Sequence, residues 1–78
     1  MKKMTNISDF NGNLIPYNTL LDFTWWNEFC QETHLKCKIR KRKNGDIFDF
    51  LDDDGKTCFT YKLTSLNWCE NDLLIIEK

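Results

Sequence analysis

The fold is decided by residues 35–63, LKCKIRKRKNGDIFDFLDDDGKTCFTYKL, where alternating apolar and polar residues are interrupted twice by turn signals. Asn44-Gly45 and Asp54-Gly55 are dipeptides that favour two-residue hairpin turns, because Asn, Asp and Gly tolerate positive φ. The segment therefore predicts three antiparallel strands in a β-meander.

The registers implied by the two turns agree with each other. The first turn places Ile39 opposite Phe50, and the second places Phe50 opposite Phe59. A shift by one residue would exchange the two faces of a strand, so this agreement supports the assignment. The apolar face collects Cys37, Ile39, Phe48, Phe50, Phe59, Tyr61 and Leu63. The polar face collects Lys36, Lys38, Arg40, Arg42, Asp49, Thr60 and Lys62.

Residues 22–34 predict an amphipathic helix. At 3.6 residues per turn its apolar residues share one wide face, and Asp22 stands where an N-cap is expected. The apolar face collects Phe23, Trp25, Trp26, Phe29, Cys30 and Thr33. This face and the apolar face of the meander are suited to cover one another.

The two ends of the chain carry weaker signals. Residues 1–18 are turn-rich, with Asn11-Gly12 and Pro16, and predict either a small hairpin or a segment that wraps the core. Residues 73–77 begin with four apolar residues and predict a C-terminal strand. This strand would be buried within the monomer or in a dimer contact, so the oligomeric state stays open.

The expected fold class is α+β, in a single domain over residues 1–78. One amphipathic helix (22–34) packs on an antiparallel β-meander of three to four strands (35–63, with 73–77 as the fourth). A chain of this length buries only about 60% of its unfolded surface, so its stability margin is small. Six Phe, three Trp and two Tyr supply large apolar area for one core.

Composition argues against several classes of protein. The net charge of −1 produces no global attraction to nucleic acid or anionic membranes. No apolar run approaches the ~20 residues of a membrane span, and no apolar stretch of a secretory signal follows Met-Lys-Lys. The four cysteines are therefore expected as reduced, buried thiols in a cytoplasmic protein. The absence of Ala and Val indicates an AT-rich genome, such as that of a phage or mobile element.

A basic segment is the strongest candidate for a functional surface. Six of the eleven basic residues fall within residues 36–43. Its mixture of basic and aliphatic side chains favours binding to a protein partner, and binding to bare phosphate is the alternative. A third explanation is a solvated strand whose Lys and Arg residues prevent edge pairing. The predicted partner-binding residues are Lys36, Lys38, Arg40, Arg42, Ile47, Asp49, Leu51 and Lys62.

The residues that could carry chemistry do not form a recognisable site. Cys30 and His34 lie one helical turn apart in the predicted helix, but no C-x₂-C pair accompanies them, so no metal is expected. Asp52-Asp53-Asp54-Gly55 fails the EF-hand spacing because Phe50 would occupy the first ligand position. The single histidine has no orienting third group, so neither a catalytic site nor a cofactor is expected.

These observations predict a small non-enzymatic protein-binding module, such as an inhibitor or modulator of a host or defence protein. The alternative is a small nucleic-acid-binding domain that uses the basic strand over residues 36–43.

Overall fold

The computed structural model describes residues 3–76, and its secondary structure is almost entirely β. Two short 3₁₀ helices, Leu63–Ser65 and Glu70–Asp72, are the helical segments of this range. The strands are β1 (Met4–Ser8), β2 (Leu14–Pro16), β3 (Leu21–Trp26), β4 (Glu32–Arg42), β5 (Gly45–Leu51), β6 (Thr57–Lys62) and β7 (Leu73–Ile75). The α+β prediction is therefore wrong.

The strands form two sheets. Five strands make an antiparallel sheet in the order β6-β5-β4-β3-β7, and β1 and β2 form a separate two-stranded hairpin. The meander runs from β3 to β6, and the chain then returns through the two 3₁₀ helices so that β7 pairs with β3. No helix within residues 3–76 has the length and apolar character needed to cross a membrane.

The helix predicted for residues 22–34 is a β-hairpin formed by β3 and the first part of β4. Trp25 pairs with Thr33, and Trp26 pairs with Glu32. Phe23 is buried and alternates with polar neighbours at a period of two, and aromatic residues favour strands. The helical pattern arose because Trp26 and Phe29 were counted as apolar helix-face residues, although both side chains are exposed.

The loop at residues 27–31 joins these strands through a tight turn. The Asn27 Oδ1 accepts hydrogen bonds from the backbone N–H groups of Phe29 and Gln31, at 2.9 and 3.0 Å. The Cys30 N–H donates to the Asn27 carbonyl at 3.0 Å, and Cys30 has a left-handed φ of 58°. A turn followed by a left-handed residue is a common three-residue hairpin connection.

Two other hairpin loops, residues 9–13 and 52–56, share this geometry. In each, the first residue is Asp, whose Oδ1 accepts hydrogen bonds from the third and fifth backbone N–H groups at 2.8–3.0 Å. The fourth residue is Gly12 or Gly55, both with a φ of 81°. The loop at 27–31 has Cys30 at the fourth position, which removes the glycine signal by which such a turn is recognised in a sequence.

The register of the β4–β5 hairpin differs from the prediction by two residues. Lys43 and Asn44 form the loop, Arg42 pairs with Gly45, and Ile39 pairs with Phe48 instead of Phe50. The predicted type I′ turn requires positive φ at Asn44 as well as at Gly45, and only Gly45 adopts it. Because the shift is even, every side chain keeps its predicted face.

Three other predictions about the strands are confirmed. Phe50 pairs with Phe59 as predicted, although the two-residue turn at Asp54-Gly55 is wrong. The loop has three residues, because the Asp52 N–H donates to the Lys56 carbonyl, and the irregularity between Phe50 and Leu51 recovers the predicted pair. The chain forms a hairpin around Asn11-Gly12, which was one of the two alternatives predicted for residues 1–18. The C-terminal strand is present as Leu73–Ile75 and pairs within the chain, whereas residue 77 of its predicted span lies outside the described residues.

The core lies on the inner face of the five-stranded sheet. The rings of Phe23, Phe48 and Phe50 contact one another with centroids 5.5–6.0 Å apart. Trp68 packs edge-on against Phe48 at 5.2 Å. The buried apolar residues are Ile15, Leu21, Phe23, Cys37, Ile39, Phe48, Phe50 and Leu73. The cover over Phe48 thus comes from irregular chain beyond β6.

The N-terminal hairpin is held against β7 by hydrogen bonds. The Phe10 N–H donates to the Leu73 carbonyl at 2.7 Å, and the Ile75 N–H donates to Asp9 Oδ2 at 3.3 Å. Asp9 is buried, and its other carboxylate oxygen organises the loop at residues 9–13. One side chain therefore shapes the hairpin loop and also docks it.

The shared loop geometry predicts that Cys30→Gly stabilises the protein. A non-glycine residue in the left-handed region costs about 1–2 kcal/mol, and the glycine variant avoids this cost in the folded state. Glycine also gives the unfolded chain more conformational entropy, so the net gain in the free energy of unfolding is about 0.5–1 kcal/mol. Thermal unfolding should show a midpoint raised by roughly 3–6 °C. Gly55→Ala is the control: its Cβ would meet no atom within 4 Å, so backbone strain alone should lower the midpoint. A Cys30→Gly variant less stable than the parent would contradict the loop assignment.

Candidate functional site

An open aromatic groove lies on the inner face of the sheet, at the end where β3 meets the loop at residues 27–31. Its volume is about 320 Å³. We call this surface the aromatic groove; its lining residues are Phe23, Trp25, Leu35, Phe50, Phe59, Tyr61, Leu66 and Asn67.

The rings at the mouth of the aromatic groove are held in place yet remain in contact with solvent. Trp25, Phe59 and Tyr61 are 51%, 45% and 45% exposed. Phe59 stacks on the buried Phe50 with centroids 5.0 Å apart, and Tyr61 packs edge-on against Phe59 at 5.5 Å. Phe59 and Tyr61 therefore present preformed aromatic faces that are anchored to the buried Phe50.

A two-stranded arm, residues 24–34, projects beyond the sheet beside the groove. The last pair of β4 with β5 is Lys36 with Leu51, and the last pair of β3 with β7 is Phe23 with Leu73. Beyond these pairs, β3 and β4 form strand pairs only with each other within residues 3–76. The arm carries Trp25 on the groove side, Trp26 on the opposite face and Phe29, 74% exposed, in its loop. Exposed aromatic residues grouped in this way are typical of interaction sites.

The loops at the groove end of the sheet are acidic. Loop 27–31 contains Glu28, and loop 52–56 contains three aspartates and Lys56, so four carboxylates face one lysine. Asp53 and Asp54 are exposed. The turn at the opposite end of the sheet is flanked by Arg42 and Lys43. The loops at the two ends of the sheet therefore differ in charge, and the negative loops lie at the end where β3 meets the loop at residues 27–31.

The structure brings the predicted partner-binding residues together on the outer face of β4, β5 and β6. Cross-strand pairs join Lys36 to Leu51, Lys38 to Asp49, Arg40 to Ile47, and Ile47 to Lys62, and Arg42 ends the same face of β4. We call the five cations Lys36, Lys38, Arg40, Arg42 and Lys62 the basic strip. It lies on the face of the sheet opposite the aromatic groove.

Asp49 has a structural role within the basic strip. It is buried, its Oδ2 lies 3.0 Å from Arg40 Nε, and the Thr57 hydroxyl donates to the same oxygen at 3.0 Å. A buried carboxylate requires such partners, because desolvation penalises its charge. Arg40 is thereby partly neutralised, so a partner would feel a weaker field than the sequence suggests.

His34 does not form a catalytic arrangement with its neighbours. Its Nδ1 lies 2.8 Å from Asp22 Oδ2 and 3.5 Å from Thr24 Oγ1, so carboxylate and hydroxyl approach the same ring nitrogen. A hydroxyl–imidazole–carboxylate relay needs them on opposite nitrogens. Cys30 lies in a loop and His34 in β4, so the helical pairing predicted for them is wrong. Within residues 3–76, no three His, Cys, Asp or Glu side chains are grouped suitably for a metal.

The four cysteines are free thiols in two different environments. Cys37 is buried, and its burial, followed by the nearby Asp22 and Asp49 charges, raises its pKa to about 12. Cys30, Cys58 and Cys69 are exposed, so the prediction of buried thiols is wrong for these three.

Comparison with protein-family models, with curated proteins and with solved structures gives no match for this chain.

Sequence reasoning missed the aromatic groove as a site. It placed Phe59 and Tyr61 on the apolar face of the meander but expected a helix to cover them. It assigned Trp25 to that helix instead of to a strand beside them. The usable signal was the alternation of Phe23 and Trp25 with polar residues, which places both side chains on the inner face of β3.

The thiol environments predict unequal reactivity toward iodoacetamide. Thiolate is the reacting species, so Cys37 should stay unmodified in the folded protein at pH 8, while the three exposed cysteines react. The Cys37 thiol is favoured over its thiolate by folding, so this contribution to stability is complete below about pH 9 and is lost as pH rises toward 12. Mass spectrometry should show three adducts on the native protein and four on the unfolded protein. Rapid labelling of Cys37 in the native state would contradict its burial.

Proposed function

We propose that this chain is a non-enzymatic protein-binding module that takes a segment of a partner protein into the aromatic groove. The observation that carries the proposal is the exposure of three aromatic side chains, Trp25, Phe59 and Tyr61, on a groove continuous with the core. A concave apolar surface of this kind is the usual form of a binding site.

The exposed aromatic rings can supply free energy for binding a partner. An aromatic side chain buries 150–250 Å², so covering the exposed half of each ring contributes about 2–3 kcal/mol at 25 cal/mol per Å². Three such rings could support specific binding after the costs of association are subtracted. Because Phe59 already stacks on Phe50, little ordering is needed when a partner binds.

The arrangement of charge favours a protein over nucleic acid. Proteins that bind single strands combine stacking aromatic residues with a basic path for the backbone. Here the acidic loop 52–56 leads into β6, the strand that carries Phe59 and Tyr61, whereas the basic strip occupies the face of the sheet opposite the aromatic groove. A polyanion that stacked in the groove would be repelled by Asp53 and Asp54.

The basic strip has a secondary place in this proposal. Ile47 and Leu51 lie within it and are half-buried, so the surface mixes aliphatic and cationic groups. Such a surface suits the rim of a protein interface, where charge affects the association rate more than the affinity. We further propose a cytoplasmic setting, and inhibition or modulation of a partner as the consequence of binding.

The direct test is selection from a displayed random-peptide library on the immobilised protein. Enriched peptides should bind the parent, and Trp25→Ala should weaken them by at least about tenfold, because a central interface tryptophan typically contributes more than 1 kcal/mol. Trp26→Ala is the matched control, since Trp26 is the adjacent residue, is similarly exposed and lies on the opposite face.

Equal loss of binding in both variants would indicate a general effect on the arm and would not support the groove. Peptides that bind both variants as tightly as the parent would contradict the proposal. Circular dichroism of each variant checks that the sheet is intact.

The nucleic-acid alternative makes a separate prediction in a gel-shift assay. Duplex and single-stranded DNA and RNA should bind weakly at physiological salt, and Lys38→Gln/Arg42→Gln should not change that result. If these residues contact phosphates, the double variant should instead bind every sequence more weakly than the parent at low salt. The slope of log affinity against log salt concentration should then be smaller by about two units in the variant. Tight binding at physiological salt that the double variant abolishes would establish the alternative.

A further inference from the structure

The two edges of the five-stranded sheet differ in accessibility. The N-terminal hairpin covers the edge at β7 through the hydrogen bonds of Phe10 to Leu73 and of Ile75 to Asp9. The other edge strand is β6, which pairs only with β5 within the described part of the chain. All six residues of β6 are exposed. One edge is therefore covered and the other is open.

The composition of β6 suits pairing with a further strand. Its sequence, Thr57 to Lys62, is TCFTYK, which is rich in aromatic and β-branched residues and lacks proline. Proteins usually protect an open edge with proline, with several lysines or with charges that point inward. Here Lys62 lies at the end of the strand, so the central residues Phe59 to Tyr61 are unprotected.

The open edge and the aromatic groove share residues. Phe59 and Tyr61 belong to β6 and line the groove, whereas Thr60 and Lys62 point to the outer face. In a strand added beside β6, alternate side chains would lie next to Phe59 and Tyr61. The remaining side chains would lie beside Thr60 and Lys62.

The charges on the two faces specify which side chains fit. On the groove side, a cation could lie over an aromatic ring, and the exposed carboxylates of Asp53 and Asp54 belong to the loop that leads directly into β6. On the outer side, Lys62 disfavours a second cation. The charge pattern therefore fits a segment with cationic residues at every second position.

We propose that β6 accepts an extended segment of the partner as a sixth strand, with lysine or arginine side chains at alternate positions entering the aromatic groove. This inference rests on the proposed function and specifies the chemistry of the partner. Backbone hydrogen bonds to β6 supply a sequence-independent part of the affinity, and the groove supplies the selectivity.

The test uses the ¹⁵N-labelled full chain and an acetylated, amidated heptapeptide of alternating threonine and arginine. Titration should shift the amide signals of residues 52–62 and leave those of β7 unchanged. A peptide of alternating threonine and glutamate should bind at least about tenfold more weakly, because its charges face Asp53 and Asp54.

Backbone N-methylation separates strand addition from simple contact with the groove. Successive N–H groups of a strand point to opposite edges, so methylation of one alternating set should weaken binding about tenfold or more, and methylation of the other should have little effect. Asp54→Asn should weaken the arginine peptide about two- to fivefold. Glu70→Gln is the matched control, because it removes one carboxylate next to Ser8 in the N-terminal hairpin instead of one in the loop that leads into β6.

The inference is overturned if the arginine peptide does not bind. It is also overturned if both methylated peptides bind as tightly as the parent peptide, or if the glutamate peptide binds as tightly as the arginine peptide. Failure here is distinguishable from failure of the proposed function. Library peptides that still depend on Trp25 would show that the groove binds proteins in another way. If no library peptide depends on Trp25 for binding, both proposals are wrong.

Discussion

The structure depends on the contact between the aromatic inner face of the sheet and whatever covers it. The rings of Phe23, Phe48 and Phe50 form a continuous layer on that face and must be shielded from water. Residues 3–76 form no α-helix, and the shield includes Ile15 from the N-terminal hairpin and Leu66 and Trp68 from the return segment. This shield stops short of Phe59 and Tyr61. The aromatic groove is the part of the layer that the described residues leave uncovered.

Much of the sheet could be predicted from local pattern. The alternation over residues 35–63 assigned side chains to the correct faces, because an error of two residues in register does not change the face of a strand. The Asp54-Gly55 signal located the second hairpin, and the pairing of Phe50 with Phe59 is right because the irregularity after Phe50 offsets the longer loop. The helix was wrong because the hairpin at residues 27–31 lacks the glycine of its two counterparts. Cys30 adopts the left-handed conformation there without an amino-acid signature.

The candidate site was less accessible to prediction than the fold. The outer-face residues were recognised because charge and alternation are visible along the chain, and the structure places them together. The aromatic groove depends on which part of the inner face is left uncovered. That is a property of how the return segment crosses the sheet, and residues 63–72 carry no periodic signal for their path. Once residues 22–34 are known to be a hairpin, the alternation places Trp25 on the same face as Phe59 and Tyr61, but their exposure still depends on the return segment.

The central claim is that residues 22–34 form a hairpin that leaves the aromatic face partly open. Backbone ¹³Cα and ¹³Cβ chemical shifts test it most directly. The account predicts strand-like shifts over β3 and β4, interrupted at residues 27–31, together with a cross-strand nuclear Overhauser effect between Trp25 and Thr33. A continuous run of helical shifts from residue 22 to residue 34 would contradict the fold and, with it, the aromatic groove.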